Sequence, residues 1–265
     1  MNIDMSEEST QLIVEIDGHI ARLRLDGPAR RNAIGLRLSD RIKEVLAELS
    51  EDRNIRAISL TGSGDIFCAG IDLKESNDRA GRGISPIDPT TQMEPTMFES
   101  FLTVGKPTLA VLNGPAVGAG CELAIGADLR IAASHATFML PESKRGMGAN
   151  FASAILPRLL PRGIALEMLY TGEPMDATTA LGWGLLNRVV PAAELEDAAD
   201  RMLQSIVTNA PLSQQRQKGV AVGGWSLPVE KALRVTVDPD PYASRDREEG
   251  VRAFVEKREP RWEAR

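Results

Sequence analysis

The chain has 265 residues, 43% hydrophobic and 26% charged. That is ordinary globular composition, and it excludes a disordered or low-complexity chain. The net charge of −6 argues against general nucleic-acid binding. With only two His and two Cys, a zinc site built from Cys and His is nearly excluded, and a His-based triad is held to two positions.

In chain order, Met1 to Thr10 is polar and carries Asp4, Glu7 and Glu8, unlike a signal or transit peptide. No run approaches the roughly 18 apolar residues of a membrane span. Trp262-Glu263-Ala264-Arg265 matches no retention or peroxisomal signal. The expected setting is the cytoplasm, with no membrane partner. Cys68 and Cys121 read as small buried thiols.

Residues 11–25 alternate apolar and polar side chains around Asp17-Gly18, the pattern of a β-hairpin. Within residues 37–49, Leu38, Ile42, Val45, Leu46 and Leu49 form one helical stripe. Residues 56–60, 108–112 and 129–132 are short apolar runs separated by helical stretches. The β, α, β, α, β order predicts an α/β protein with a mainly parallel sheet. Residues 75–94 are rich in Gly, Pro, Ser, Thr and charge and read as a mobile loop or lid.

From Ala152 onward the pattern is largely helical. Leu195, Ala199, Met202, Leu203 and Ile206 share one face, and residues 246–258 read as a charged terminal helix. Pro191 and Pro211 punctuate the change from an α/β core, residues 1–200, to a helical region, residues 201–265.

Two features could carry chemistry. The first is a pair of glycine-containing strand-to-helix turns, Phe67-Cys68-Ala69-Gly70-Ile71-Asp72-Leu73 and Asn113-Gly114-Pro115-Ala116-Val117-Gly118-Ala119-Gly120-Cys121-Glu122-Leu123. Glycine lets backbone approach a ligand, and N–H groups at a helix start are unpaired and partly positive. Two such groups aimed at one oxygen make an oxyanion hole. Leu123 breaks the GxGxxG spacing, and neither a P-loop nor a Gly-x-Ser-x-Gly elbow is present. Tight turns serving packing alone are the other reading of these glycines.

The second feature is two glutamates with apolar neighbours, Glu122 before Leu123-Ala124-Ile125 and Glu142 after Phe138-Met139-Leu140-Pro141. Partial burial raises a carboxyl pKa and suits it to acid–base work. A helix-start acid and a surface-loop acid are the alternatives. His19 and His135 lack a Ser or Cys partner at a telling position and read as structural or surface residues.

At these positions the chain resembles the crotonase superfamily, the enoyl-CoA hydratase/isomerase fold. The likeness is an ordered series: Leu25-Asp26-Gly27-Pro28-Ala29-Arg30-Arg31-Asn32-Ala33, then Phe67 to Leu73, then Lys106-Pro107 through Glu122. Pro141-Glu142, Tyr170-Thr171-Gly172, Ala180 to Val190 and Phe254-Val255-Glu256-Lys257-Arg258 complete it. Leu156-Pro157-Arg158 with Pro161, and Leu181-Gly182-Trp183-Gly184, resemble the carnitinyl-CoA dehydratase branch.

The resemblance implies a spiral of ββα units whose helical C-terminal region trimerises, giving a homotrimer or homohexamer. It implies an acyl-CoA thioester substrate, with no metal and no cofactor besides the CoA of the substrate. The N–H groups of Ile71 and Ala119 would bind the thioester oxygen. Glu122 and Glu142 would add or remove water across C2–C3. Arg31 and Lys74 would meet the CoA phosphates or adenine region. Phe254 and Lys257 would line the adenine pocket, often that of a neighbouring subunit. A Δ3-Δ2-enoyl-CoA isomerase using Glu142 alone, or a non-catalytic acyl-CoA-binding member, shares these residues. The chain departs from the family pattern at Ala119, where hydratases usually carry glycine, at Asp26-Gly27, and over residues 146–153, Gly-Met-Gly-Ala-Asn-Phe-Ala-Ser.

Overall fold

The computed structural model describes residues 9–81 and 93–265. Strands β1 (Gln11–Asp17) and β2 (Ile20–Asp26) form the expected antiparallel hairpin, turned by Gly18 at φ +57°. Helix α1 (Leu36–Glu51) buries all five residues of the stripe seen in the sequence. Strand β3 (Ala57–Gly62) follows, then α2 (Leu73–Gly81) and α3 (Met97–Thr103).

The expected loop over residues 75–94 is corrected in its first part, because α2 runs through Gly81. Asp72 starts that helix by accepting the N–H groups of Lys74 and Glu75 at 3.0 and 3.2 Å. Residues 82–92 of the expected lid lie outside the described residues.

The middle of the chain is β4 (Thr108–Leu112), β5 (Ala116–Val117), α4 (Ala119–Gly126), β6 (Leu129–Ala133) and β7 (Thr137–Met139). Next come α5 (Asn150–Leu159), α6 (Arg162–Thr171), β8 (Met175–Asp176), α7 (Ala177–Gly182) and β9 (Arg188–Val190). The chain ends with α8 (Leu195–Val207), α9 (Pro211–Gly223), α10 (Val229–Ala232) and α11 (Arg245–Glu256).

The main sheet has the order β1-β2-β3-β4-β6-β9 and is parallel beyond the hairpin. A smaller sheet, β5-β7-β8, stands beside it. Both faces of β3, β4 and β6 are covered, which is why these strands read as short apolar runs, whereas β1 is largely exposed. Ala110 and Leu112 of β4 join the core that includes α1, α3 and α4. Leu109 and Val111, pointing the other way, pack with Leu195, Ala199, Met202 and Leu203 of α8. Ile206, half-buried, packs against the same cluster, and Val207 joins it.

The region after Ala152 is less purely helical than its pattern suggested, since β9 extends the main sheet beside β6. Residue 200 falls inside α8, which packs on the sheet from both sides of that position. The charged terminal helix spans Arg245–Glu256, and Asp246 accepts the N–H groups of Glu263 and Ala264, folding the tail back along it. No helix among the described residues is long and apolar enough to cross a membrane.

Candidate active site

The site is built at the C-terminal ends of β3 and β4. Beyond β3 the chain is stapled by Asn32, a buried residue at φ +55°. Its Nδ2 donates to the carbonyls of Ser63 and Ile66, both at 2.9 Å, and its Oδ1 accepts the Gly27 N–H at 3.0 Å. The next segment pairs with Ile34, which donates to the Gly70 carbonyl at 2.8 Å and accepts from the Asp72 N–H at 2.9 Å. In such a parallel bridge the residue between the bonded pair, Ile71, aims its own N–H to the other side.

That other side faces the start of α4. Gly118 donates to the Met139 carbonyl at 2.8 Å, and its carbonyl accepts from Glu122 at 2.9 Å. Ala119 is the first residue of the helix, so its N–H has no acceptor within the helix. Among the described residues neither the Ile71 nor the Ala119 N–H has a backbone acceptor. The two segments touch: a Cβ on Gly70 would lie 2.8 Å from the Val117 carbonyl oxygen and 3.4 Å from the Ala119 nitrogen. Gly70 at φ +95° and Gly118 at φ +54° make these turns possible. The partial positive charge of the α4 N-terminus adds to the two N–H dipoles.

Both predicted glutamates stand at this point. Glu122 lies in the first turn of α4, one turn past Ala119, and is 7% exposed. Its Oε1 accepts the Ala152 N–H at 2.9 Å. Burial lifts its carboxyl to about 7, the Ala152 bond opposes this, and the charge of Glu142 adds to it. Glu142 is the second residue of the 3-10 turn Pro141–Arg145. A Cβ on Gly118 would meet Glu142 Oε1 at 2.8 Å, so this carboxyl borders the Gly118–Ala119 turn. Burial raises its pKa also, against the pull of Arg145. Among the described residues Glu142 Oε2 is buried without a hydrogen-bond partner. A buried carboxyl oxygen left unpaired is costly, and such groups cluster where chemistry is done.

The basic residues divide. Arg31 is exposed at φ +53°, and its carbonyl accepts the Ala69 N–H at 3.0 Å, so it borders the Gly70–Ile71 segment. Lys74 is exposed in the first turn of α2, three residues past Ile71. Arg30 pairs with Asp72 and helps fix the same segment. Burial would raise the Asp72 carboxyl, but the Arg30 guanidinium and the N–H groups of Glu75 and Lys74 hold it below the usual range.

Phe254 and Lys257 lie elsewhere. Arg56, just before β3, donates to the carbonyls of Val207 and Trp262 at 3.2 and 2.9 Å. The Trp262 ring comes within 3.2 Å of a Cβ on Gly250, so α11 sits at the N-terminal end of β3. Within one chain, Phe254, 85% exposed, and Lys257 are not brought to the glutamates at the strands' other end.

Cys68 and Cys121 are both buried, and burial raises both thiols, Cys68 to about 12. His19 is 2.7 Å from the Asn54 carbonyl through Nδ1, a local turn contact. Sequence reasoning missed the Ala152 donor and the Asn32 staple. The family's first turn motif does include Asn32, but an Asn alone carries no sign of its carbonyl partners, Ser63, Ile66 and, at 3.3 Å, Phe67.

The fold thus sets two carboxyls raised by burial, Glu122 and Glu142, beside the turn where the Ile71 and Ala119 segments meet. The sequence pattern of the enoyl-CoA hydratase/isomerase family matches residues 15–265, and the chain belongs to that family. It is 37% identical over 259 residues to a carnitinyl-CoA dehydratase of Citrobacter koseri, covering 94% of this chain and 96% of that one. Among solved structures it resembles an enoyl-CoA hydratase from Mycobacterium tuberculosis H37Rv, with TM-score 0.85, 29% identity and 96% and 99% of the two chains covered. An enoyl-CoA hydratase from Bacillus anthracis aligns with TM-score 0.83, 29% identity and the same coverage. The crotonase fold and the helical C-terminal region expected from the sequence are both present.

Proposed function

We propose that the chain is a hydro-lyase that adds or removes water across the C2–C3 bond of an acyl-CoA thioester. The observation that supports this reading is two carboxyls raised by burial near one turn, Glu142 against Gly118 and Glu122 in the first turn of the helix that Ala119 begins. The thioester oxygen accepts from the N–H groups of Ile71 and Ala119. As bonds change at C2 and C3, negative charge gathers on that oxygen. Preset N–H dipoles stabilise it without reorganising.

Proton balance then needs two carboxyls in opposite states. One, ionised, takes a proton from water as the oxygen bonds to C3. The other, protonated, delivers a proton to C2. The pair titrates together, so these states belong to the pair and not to either residue alone. In the dehydrating direction the roles reverse. Arg31 and Lys74, at the rim beside the Ile71 segment, would meet the CoA phosphates. Phe254 and Lys257 would reach an adenine only on a neighbouring copy, which supports a trimeric or hexameric assembly.

The test is hydration of crotonyl-CoA, longer 2-enoyl-CoAs and the dehydration of carnitinyl-CoA, followed by enoyl-thioester absorbance. Turnover of at least one is expected, and binding of all without turnover of any would overturn the reading.

A further inference from the structure

Cys68 is fully buried, and the acid–base chemistry above makes no use of it. Its thiol nevertheless has two polar neighbours. The Sγ–H donates to the Asn32 carbonyl at 3.1 Å, and Sγ accepts the Gly70 N–H at 3.4 Å. A thiol can serve as donor and acceptor at once. Burial pushes its pKa up to about 12, so it keeps its proton. The Cys68 carbonyl accepts the Val117 N–H at 2.9 Å, and a Cβ on Gly120 would lie 2.7 Å from the Cys68 Cβ. Cys68 therefore touches both segments that carry the oxyanion donors. It meets Gly70–Ile71 through its sulfur, and Val117–Gly120 through its carbonyl and Cβ.

The sulfur contact bears on the direction of the Ile71 N–H. The peptide joining Gly70 to Ile71 is planar and trans, so that N–H points opposite to the Gly70 carbonyl. The carbonyl is held by the Ile34 N–H at 2.8 Å. The peptide on the other side of the Gly70 Cα is held through its N–H by Cys68 Sγ. Gly70 has no Cβ and stands at φ +95°, so side-chain bulk does not restrain rotation between these two peptides. Two hydrogen bonds fix it instead. The thiol's own bond to Asn32, two residues before Ile34, fastens the sulfur to the segment that holds the carbonyl. We infer that Cys68 is a positioning residue of the oxyanion hole, its thiol setting the direction of the Ile71 N–H. The inference rests on the reading above, in which the N–H groups of Ile71 and Ala119 hold the thioester oxygen.

The experiment compares wild type with Cys68→Ser, Cys68→Ala and Cys68→Val. Serine keeps a donor and an acceptor, alanine removes both, and valine removes both while filling the space. Each folded variant is read in three ways: kcat and KM for an enoyl-CoA that wild type turns over, the dissociation constant of hexanoyl-CoA, and the infrared carbonyl frequency of bound hexanoyl-CoA labelled at the thioester carbon. Wild type should lower that frequency relative to free hexanoyl-CoA. Cys68→Ala and Cys68→Val should lose part of this shift and about 10-fold in kcat, less than the roughly 10²-fold cost of a missing donor. Their binding of hexanoyl-CoA should stay within about threefold of wild type. Cys68→Ser should keep the shift and lie within about threefold of wild type in kcat. Should Cys68→Ala not fold, Cys68→Val carries the comparison against serine. Alanine and valine variants that melt earlier but keep the wild-type kcat and frequency, or a serine variant as impaired as alanine, overturn the inference. So does a wild type that binds hexanoyl-CoA without shifting its carbonyl. A shift that weakens in Cys68→Ala, in a protein that hydrates no enoyl-CoA, would overturn the hydro-lyase reading and leave the positioning role standing. Hydration at wild-type rate and frequency in Cys68→Ala and Cys68→Val would do the reverse.

Discussion

The Ala152 backbone N–H donates to Glu122 Oε1 at 2.9 Å, across 30 positions of sequence. The bond ties the first turn of α5 to the first turn of α4, the helix whose N-terminus faces the site. It fixes the carboxyl while burial keeps its pKa near neutrality. A more generous set of donors would pull that pKa down and leave the group permanently ionised.

Stability should depend on pH through this residue. The Glu122 carboxyl titrates at about 7 when folded and at its ordinary value of 4.5 when unfolded. Between those values the folded chain holds more protons than the unfolded one. Stability from this group is therefore present at low pH and is lost as pH rises towards 7, by about 3 kcal/mol for the full shift. Glu122→Gln keeps an acceptor for Ala152 and cannot ionise. Denaturant melts should find it more stable than wild type at pH 8, with the gain shrinking towards pH 5. A Gln variant less stable than wild type at pH 8 would contradict this account.

Gly70→Ala should damage both catalysis and folding. At φ +95°, with its Cβ 2.8 Å from the Val117 carbonyl oxygen, alanine forces the Ile71 and Ala119 segments apart. Loss of one aligned oxyanion donor costs about 10²-fold in kcat, and the strained backbone costs about 1–3 kcal/mol. Steady-state kinetics beside thermal melts separate the two effects. Wild-type kinetics in this variant would mean that the two N–H groups do not act together.

Arg31→Ala and Lys74→Ala should act on binding. Both side chains are exposed, so their attraction for phosphate is screened by salt. Each should raise KM about threefold to tenfold at low ionic strength, with kcat little changed. The difference from wild type should shrink at high salt. A fall in kcat at constant KM would place these residues in the chemistry instead.

Much of this architecture was legible from local pattern. The stripe from Leu38 to Leu49 is periodic enough to specify both a helix and its buried face, and α1 follows it. The two glycine turns and the two glutamates were visible because each is a short, unusual string. Three-residue β9 was not, since a strand that short carries no period. Helix α2 was hidden by a polar sequence whose helical start depends on Asp72, itself held by Arg30. The Ala152 donor could not be read at all, because any residue but proline offers the same N–H. Phe254 and Lys257 were legible as family positions, but one chain alone leaves them at the far end of β3.

The most direct test of the acid–base pair is hydration by Glu122→Gln, Glu142→Gln and the double variant, using an enoyl-CoA that wild type turns over. Dissociation constants for the matching saturated acyl-CoA are measured alongside. Each single variant should lose about 10²-fold or more in kcat while binding stays within roughly threefold of wild type. The double variant should lose less than the product of the single losses, because the two carboxyls act as one unit. Single variants that bind and hydrate like wild type would contradict the assignment of Glu122 and Glu142.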